Sequence, residues 1–125
     1  MIAASLFLGS AGIALSFFPQ EILSLLGNQI NIVLVLVMQL LGALYFGFAM
    51  LNWLAKDSIL GGIYGRPIVA GNAAHFVVGA IVLLKNVSAH YQTTVLAAAV
   101  VYSIFSIWFS VVMYTNPVKN IPSDI

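Results

Sequence analysis

The fold of this chain is decided by residues 31–54, which read NIVLVLVMQLLGALYFGFAMLNWL. No Asp, Glu, Lys or Arg occurs in this stretch. The hydrocarbon core of a bilayer is about 30 Å thick, and a helix that crosses it needs about 20 mainly apolar residues. The stretch therefore predicts a transmembrane helix, with Asn52 and Trp53 marking its interfacial end.

The rest of the chain repeats this pattern on both sides of the central stretch. Charged residues make up 6% of the sequence, whereas a soluble domain has roughly a quarter. Uncharged intervals that can each hold one helix surround the central one at residues 1–20, 67–84 and 86–118. The predicted fold class is an all-α integral membrane four-helix bundle in a single domain, residues 1–125. Its four spans are expected at about residues 1–18, 31–54, 67–84 and 93–113.

A short segment separates the first two predicted spans. Pro19 is expected to end the first helix and to open another, because its missing N–H falls where helices leave N–H groups unpaired. Gly27 and Asn28 form a C-cap signal a few residues later. The segment is too short to cross a membrane, so it is either a helix lying at the interface or a plain loop. No basic residue precedes the first apolar run, which favours a retained helix over a cleaved signal peptide.

The few basic residues predict the orientation in the membrane. With four spans, Lys56, Arg66 and Lys119 lie on one side and Lys85 on the other. Under the positive-inside rule, both termini are then cytoplasmic. Lys56 and Arg66 are also candidates for holding an anionic lipid headgroup. The alternative is that they serve only as topology determinants.

Small and polar residues are expected to mark the inward faces of the helices, since membrane helices associate by close packing and polar contacts. Every predicted span carries such a stripe. In the first span it is Ser5, Gly9, Gly12 and Ser16; in the second, Gln39, Gly42, Ala43, Phe46 and Met50; in the third, Gly71, His75 and Gly79; in the fourth, Ala99, Ser103, Ser106, Ser110 and Tyr114.

Three polar side chains inside the predicted spans are candidates for binding a ligand: Gln39, Asn72 and His75. Polar groups in hydrocarbon are costly, face the bundle interior and often mark function. His75 lies about 12 Å into its span at 1.5 Å per residue, near mid-membrane. It is either a hydrogen-bonded structural imidazole or a proton relay or ligand contact, because histidine titrates near neutral pH.

Other chemistries are disfavoured by what the sequence lacks. The absence of cysteine excludes disulfides, iron–sulfur clusters and thiolate catalysis. No phosphate-binding loop or carboxylate pair for hydrolysis is present. His90 is expected in the turn after the third span, at the opposite side of the membrane, which disfavours haem ligation by two histidines. A net charge of +1 gives no basic face for nucleic acid. We therefore predict no catalytic residue, no metal site and no enzyme activity.

Short motifs give the chain a family resemblance. Residues 18–27 read FPQEILSLLG after an opening helix of small residues, and residues 39–43, QLLGA, lead to residues 52–56, NWLAK. In these motifs and in helix order the chain resembles the DoxX-like superfamily. The resemblance implies a four-helix bundle in the bacterial cytoplasmic membrane, and the namesake is a subunit of a quinol-linked oxidoreductase. Relatives often carry Arg where Gln39 stands, so a role that rests on a buried charge does not carry over to this chain. No catalytic residue carries over either.

Two functional hypotheses follow. The first is a non-catalytic accessory or structural subunit, whose outer helix faces pack on other membrane protein subunits or on a second copy. The aromatic-rich residues 102–109 fit this role. The second is a quinone- or small-molecule-binding bundle or carrier, centred on Gln39, Asn72 and His75. The sequence favours the first, because structural polar contacts are common among membrane helices.

Overall fold

The computed structural model describes residues 1–57, 63, 65–89 and 92–115, and within them the regular structure is entirely helical. The helices are α1 (Ile2–Phe17), α2 (Pro19–Leu25), α3 (Ile32–Leu54), α4 (Gly65–Ala89) and α5 (Thr93–Thr115). They fall into two compact units, Met1–Asp57 with α1 to α3 and Ser58–Ile125 with α4 and α5. The all-α class is confirmed for the described residues. The four-helix bundle and the single domain stay predictions.

Three helices are long and apolar enough to cross a membrane, which is compatible with an integral membrane protein. These are α3, α4 and α5, with mean hydropathies of 2.3, 1.9 and 2.2 over their most apolar windows. A helix of 23 residues such as α3 is about 35 Å long. The first predicted span coincides with α1, whose 16 residues reach about 24 Å. It becomes a fourth span if α1 and α2, bent by 95°, count as one broken span.

The segment after α1 is a helix and not a plain loop. Pro19 occupies the first turn of α2, as its missing N–H allows. Glu21 also lies in that turn, where a carboxylate favours the positive end of the helix dipole. Gly27 follows the helix with φ of +73°, a left-handed conformation that glycine adopts without a Cβ penalty. The location of α2 at a membrane interface stays a prediction.

The bounds of α4 differ from the predicted third span. The helix begins at Gly65 and continues to Ala89, so it extends beyond the predicted end of the third span at about residue 84. Near its end, Ser88 Oγ donates a hydrogen bond of 2.7 Å to the Lys85 carbonyl within the same helical turn. Residues 58–62 and 64, residues 90 and 91 with His90, and the tail from residue 116 with Lys119 lie outside the described residues.

In the first unit, α1 and α3 pack antiparallel through small residues. Ser5 Oγ donates to the Ala49 carbonyl at 2.7 Å, while the other end of α1 meets α3 at Gly12 and Gly42. A Cβ placed on Gly12 would lie 2.8 Å from the Gly42 carbonyl oxygen and from the Phe46 nitrogen. The backbones therefore touch, and the inward stripe predicted for α1 is confirmed.

Of the stripe predicted for α3, Gly42 packs directly on α1, and the Phe46 backbone lies beside Gly12; the direction of the other side chains within a four-helix bundle stays a prediction. Gly42 is buried, as are Ala49 and Asn52, whereas the other members of the predicted stripe are exposed: Gln39, Ala43, Phe46 and Met50. Gln39 lies three residues before Gly42 and so points about 60° away from it around the helix. The face that packs on α1 is set by the closest backbone approach, which only the glycine permits.

Substitution of Gly12 by alanine should destabilise the first unit by about 1–3 kcal/mol, because the new methyl group meets fixed backbone atoms and not a movable side chain. The matched control is Gly47→Ala, since a Cβ on Gly47 meets nothing within 4 Å. This change should be neutral or stabilise α3 by up to about 1 kcal/mol. Unfolding in detergent, followed by circular dichroism, measures both. Equal stabilities of the two variants would contradict the close packing.

Candidate functional site

An aromatic cluster holds α4 and α5 together in the second unit. Phe76 is fully buried and its ring centre lies 5.2 Å from that of Tyr102, 4.8 Å from Phe105 and 5.6 Å from Phe109. These edge-on and stacked geometries are the favourable ones for aromatic rings. Of the aromatic-rich residues 102–109, three rings therefore pack between α4 and α5, while Trp108 is exposed.

His75 lies at the edge of this cluster and contacts Tyr102. Its Nε2 is 3.3 Å from the Tyr102 hydroxyl oxygen, and the ring centres are 5.6 Å apart. The hydroxyl donates when Nε2 carries no proton and accepts when it does. His75 is two residues from Val77, the midpoint of α4, which is about 3 Å along the axis. His75 thus lies close to the middle of α4, and its position near mid-membrane stays a prediction.

Gly79 fixes the position of the Tyr102 ring. A Cβ on Gly79 would lie 2.5 Å from Cε1 and 2.6 Å from Cδ1 of Tyr102, so the ring occupies the space that glycine leaves. Sequence reasoning noted Gly79 but missed Tyr102 as the partner of His75. Gly79 lies ten residues before the end of α4 and Tyr102 nine residues after the start of α5. This register of the hairpin places Tyr102 beside Gly79, one turn from His75, and was the signal that could have identified it.

Asn72, the second predicted ligand-binding residue, bonds within its own helix. It is fully buried, and its Nδ2 donates to the Ile68 carbonyl at 2.8 Å. Asn72 and His75 lie three residues apart on α4, so they are neighbours on the helix surface. Bonding of the amide to the carbonyl four residues back is a local way to satisfy a polar side chain in a helix.

Gln39, the third predicted residue, belongs to the first unit. It is exposed, and its Nε2 lies 3.5 Å from the Ser16 carbonyl oxygen. This distance is beyond the usual range for a strong N–H···O hydrogen bond. The structure therefore places Asn72 and His75 together on α4, and Gln39 on the surface of α3.

Asn52 is a buried polar residue whose burial sequence reasoning missed. It was expected at the interfacial end of α3, yet it is fully buried and its Nδ2 donates to the Phe48 carbonyl at 2.9 Å. This contact has the same four-residue spacing as that of Asn72. The exposed Trp53 beside it does match an interfacial position.

The two candidate headgroup-binding residues have different surroundings. Lys56 is half-buried, and its Nζ lies 3.8 Å from the centre of the Trp53 ring, a cation–π distance. Arg66 is exposed in the first turn of α4, in the other unit. Headgroup binding by the pair stays a prediction.

Within the described ranges, no three His, Asp or Glu side chains are placed to hold a metal ion. Comparison of the chain with protein-family models, with curated proteins and with solved structures gives no match. The candidate site is therefore defined by geometry alone: His75 and Tyr102 at the edge of the aromatic cluster, with Asn72 one helical turn away.

Gly79→Ala should displace the Tyr102 ring and lengthen its contact with His75, because the ring is confined by the Phe76 cluster. We expect a loss of about 1–3 kcal/mol in unfolding free energy and a change in the ¹⁵N chemical shift of His75 Nε2. Tyr102→Phe should cause a comparable shift change by removing the hydroxyl.

The control for this experiment is Val78→Ala. Val78 is 60% exposed, so its truncation should leave stability within about 0.5 kcal/mol of the parent and the His75 resonance in place. A His75 signal that is unaffected by Gly79→Ala and by Tyr102→Phe would contradict the contact.

Proposed function

We propose that this chain is a non-catalytic integral membrane protein that serves as an accessory or structural subunit of a larger membrane complex. The observation that carries the proposal is that polar side chains within the apolar helices form hydrogen bonds to the protein's own backbone. They donate to backbone carbonyls of their own unit: Ser5 to Ala49, Asn52 to Phe48, Asn72 to Ile68 and Ser103 to Ala99.

These contacts favour a structural role because of where the donors point. An active site needs reactive groups that converge on a space where a substrate can sit. Asn52 and Asn72 are fully buried, and their amides bond to the turn of helix that precedes them. In hydrocarbon such bonds satisfy the donating groups of these side chains and fix the packing, so they contribute to assembly and not to chemistry.

The exposed side of α5 is a suitable surface for a partner subunit. Ile104, Ile107 and Trp108 are 62%, 67% and 63% exposed. Tryptophan is among the residues that contribute most to protein interfaces when buried by a partner. We propose that Trp108 anchors this contact.

The cellular setting is part of the proposal. The resemblance to the DoxX-like superfamily supports a bacterial cytoplasmic membrane and a role as a subunit. The distribution of Lys56, Arg66, Lys85 and Lys119 supports cytoplasmic termini. Both the lipid bilayer and other membrane subunits are then the partners of this chain.

Affinity purification in mild detergent tests the subunit role. The tagged chain should bring down a partner at a reproducible stoichiometry, and Trp108→Ala should weaken that association by about 30-fold, as expected for an interface anchor worth about 2 kcal/mol. Tyr114→Ala is the matched control, since Tyr114 is an exposed aromatic residue near the end of α5. Purification without any partner in each of several mild detergents would refute the proposal.

A second function is favoured by the His75–Tyr102 contact. The pair places an imidazole and a phenol near the middle of α4, with His75 half-buried. We propose, as the alternative, that this position binds a small apolar molecule with a carbonyl group, such as a quinone, through a hydrogen bond from the imidazole. The flat faces of the neighbouring aromatic rings suit such a ligand.

Native mass spectrometry from lipid nanodiscs, with a short-chain quinone added as the probe, tests this alternative. His75→Leu should abolish retention of the probe while leaving the circular dichroism spectrum unchanged. Val78→Leu, at an exposed position close to His75 in α4, should retain it. Equal retention by the parent and by His75→Leu would exclude the alternative.

A further inference from the structure

The two long helices of the first unit differ in reach, since α1 ends well before its antiparallel partner α3 begins. Ser16 lies against Gly42, because a Cβ on Gly42 would be 2.8 Å from the Ser16 nitrogen. Phe18, where α1 gives way to α2, follows two residues later. At a rise of about 1.5 Å per residue, Phe18 is level with about residue 40 of α3. The first two turns of α3 therefore extend past the end of α1.

The end of α1 falls short of the membrane boundary that α3 implies. Trp53 matches an interface at the other end of α3, and about 30 Å of hydrocarbon corresponds to about 20 residues of helix, so the second boundary lies near residue 33. Residue 40 is about 10 Å deeper. The length of α1, about 24 Å for its 16 residues, gives a shortfall of about 6 Å by itself. Both counts place Phe18 about 6–10 Å inside the hydrocarbon of an ordinary bilayer.

α2 runs sideways at this depth and does not continue to the surface. Its axis is bent by 95° from that of α1, so it lies along the membrane if α1 crosses it. Pro19 and Leu23 are buried on one side of α2. Its three polar residues, Gln20, Glu21 and Ser24, are exposed and fall within one arc of about 100° at about 3.6 residues per turn. α2 thus carries a polar side at a level where α3 is apolar.

The carboxylate of Glu21 determines what must surround this polar side. A charged side chain in hydrocarbon is strongly disfavoured unless a partner or water reaches it. Residues 1–55 contain no Lys, Arg or His, and Lys56, the one basic residue of the first unit, lies at the far end of α3. Glu21 therefore has no basic side chain near it in its own unit. We propose that the bilayer surface dips at α2, so that the polar side of α2 forms the floor of a hydrated indentation beside α3.

This indentation accounts for the unequal helix lengths in the first unit. A bilayer adapts to a short apolar helix by thinning around it. Thinning by about 6–10 Å lets α1 cross in full, with α2 at the lowered surface. Water and lipid headgroups then reach deeper beside α1 than beside α3. The inference rests on the membrane location within the proposed function, but not on the subunit role.

Cysteine labelling in membranes opened by freeze–thaw tests the indentation, because the chain has no native cysteine. Single cysteines at Ser24 and at Leu40 are probed with a charged, water-soluble maleimide. The reactive thiolate is scarce in apolar surroundings, so Ser24→Cys should be labelled at least about tenfold faster than Leu40→Cys. Leu40 is the depth-matched control. It is level with Phe18, is 62% exposed, and points about 160° away from Gly42 around α3.

The outcomes separate the indentation from the membrane location. Slow labelling at both positions, with full labelling after denaturation, would overturn the indentation and place α2 in hydrocarbon or against protein. Fast labelling at both would also overturn it, because Leu40 would then lie in water. Release of the chain from membranes by alkaline carbonate would refute the membrane location and this inference with it. Retention in carbonate with slow labelling of Ser24→Cys refutes the indentation alone.

Discussion

A polar group in hydrocarbon must find its hydrogen-bond partner within protein, and this constraint governs the structure of both units. The helices satisfy their own backbone, so the remaining demand falls on the polar side chains. Ser5 meets it across the α1–α3 contact, where it reaches the Ala49 carbonyl. Asn52 and Asn72 meet it within their own helices. The placement of these few groups restricts which helix faces can pack together.

Glycine supplies the space that this packing needs, but it does so in different ways. Gly12 and Gly42 bring two backbones into contact, whereas Gly79 makes room for the Tyr102 ring. Gly47 has open space around it. Glycine thus allows two backbones to touch at one place and makes room for a side chain at another, while at a third it contacts nothing. Only the neighbouring helix distinguishes these roles, and a sequence pattern does not contain that neighbour.

This explains which parts of the structure could be predicted from the sequence. Hydropathy and charge are local properties of the chain, and they predicted α3 and α5 to within about two residues at each end. The end of α4 was misplaced because Lys85 marks the end of an uncharged interval, whereas the helix continues past it to Ala89. The Tyr102 partner of His75 was missed because it depends on the register between two helices. The burial of Asn52 was missed because it depends on how α3 packs against its neighbour.

The polar residues inside these helices therefore differ in how readily they can form hydrogen bonds to another molecule. The amides of Asn52 and Asn72 are buried and engaged with backbone carbonyls, so exchanging them for another partner would cost a hydrogen bond. Gln39 has a long contact and an exposed amide, and His75 is half-buried beside a phenol. Interactions with other molecules are cheapest where little internal bonding must be broken. Gln39 meets that condition most fully, because its amide can bond to another molecule without the loss of a short, buried hydrogen bond.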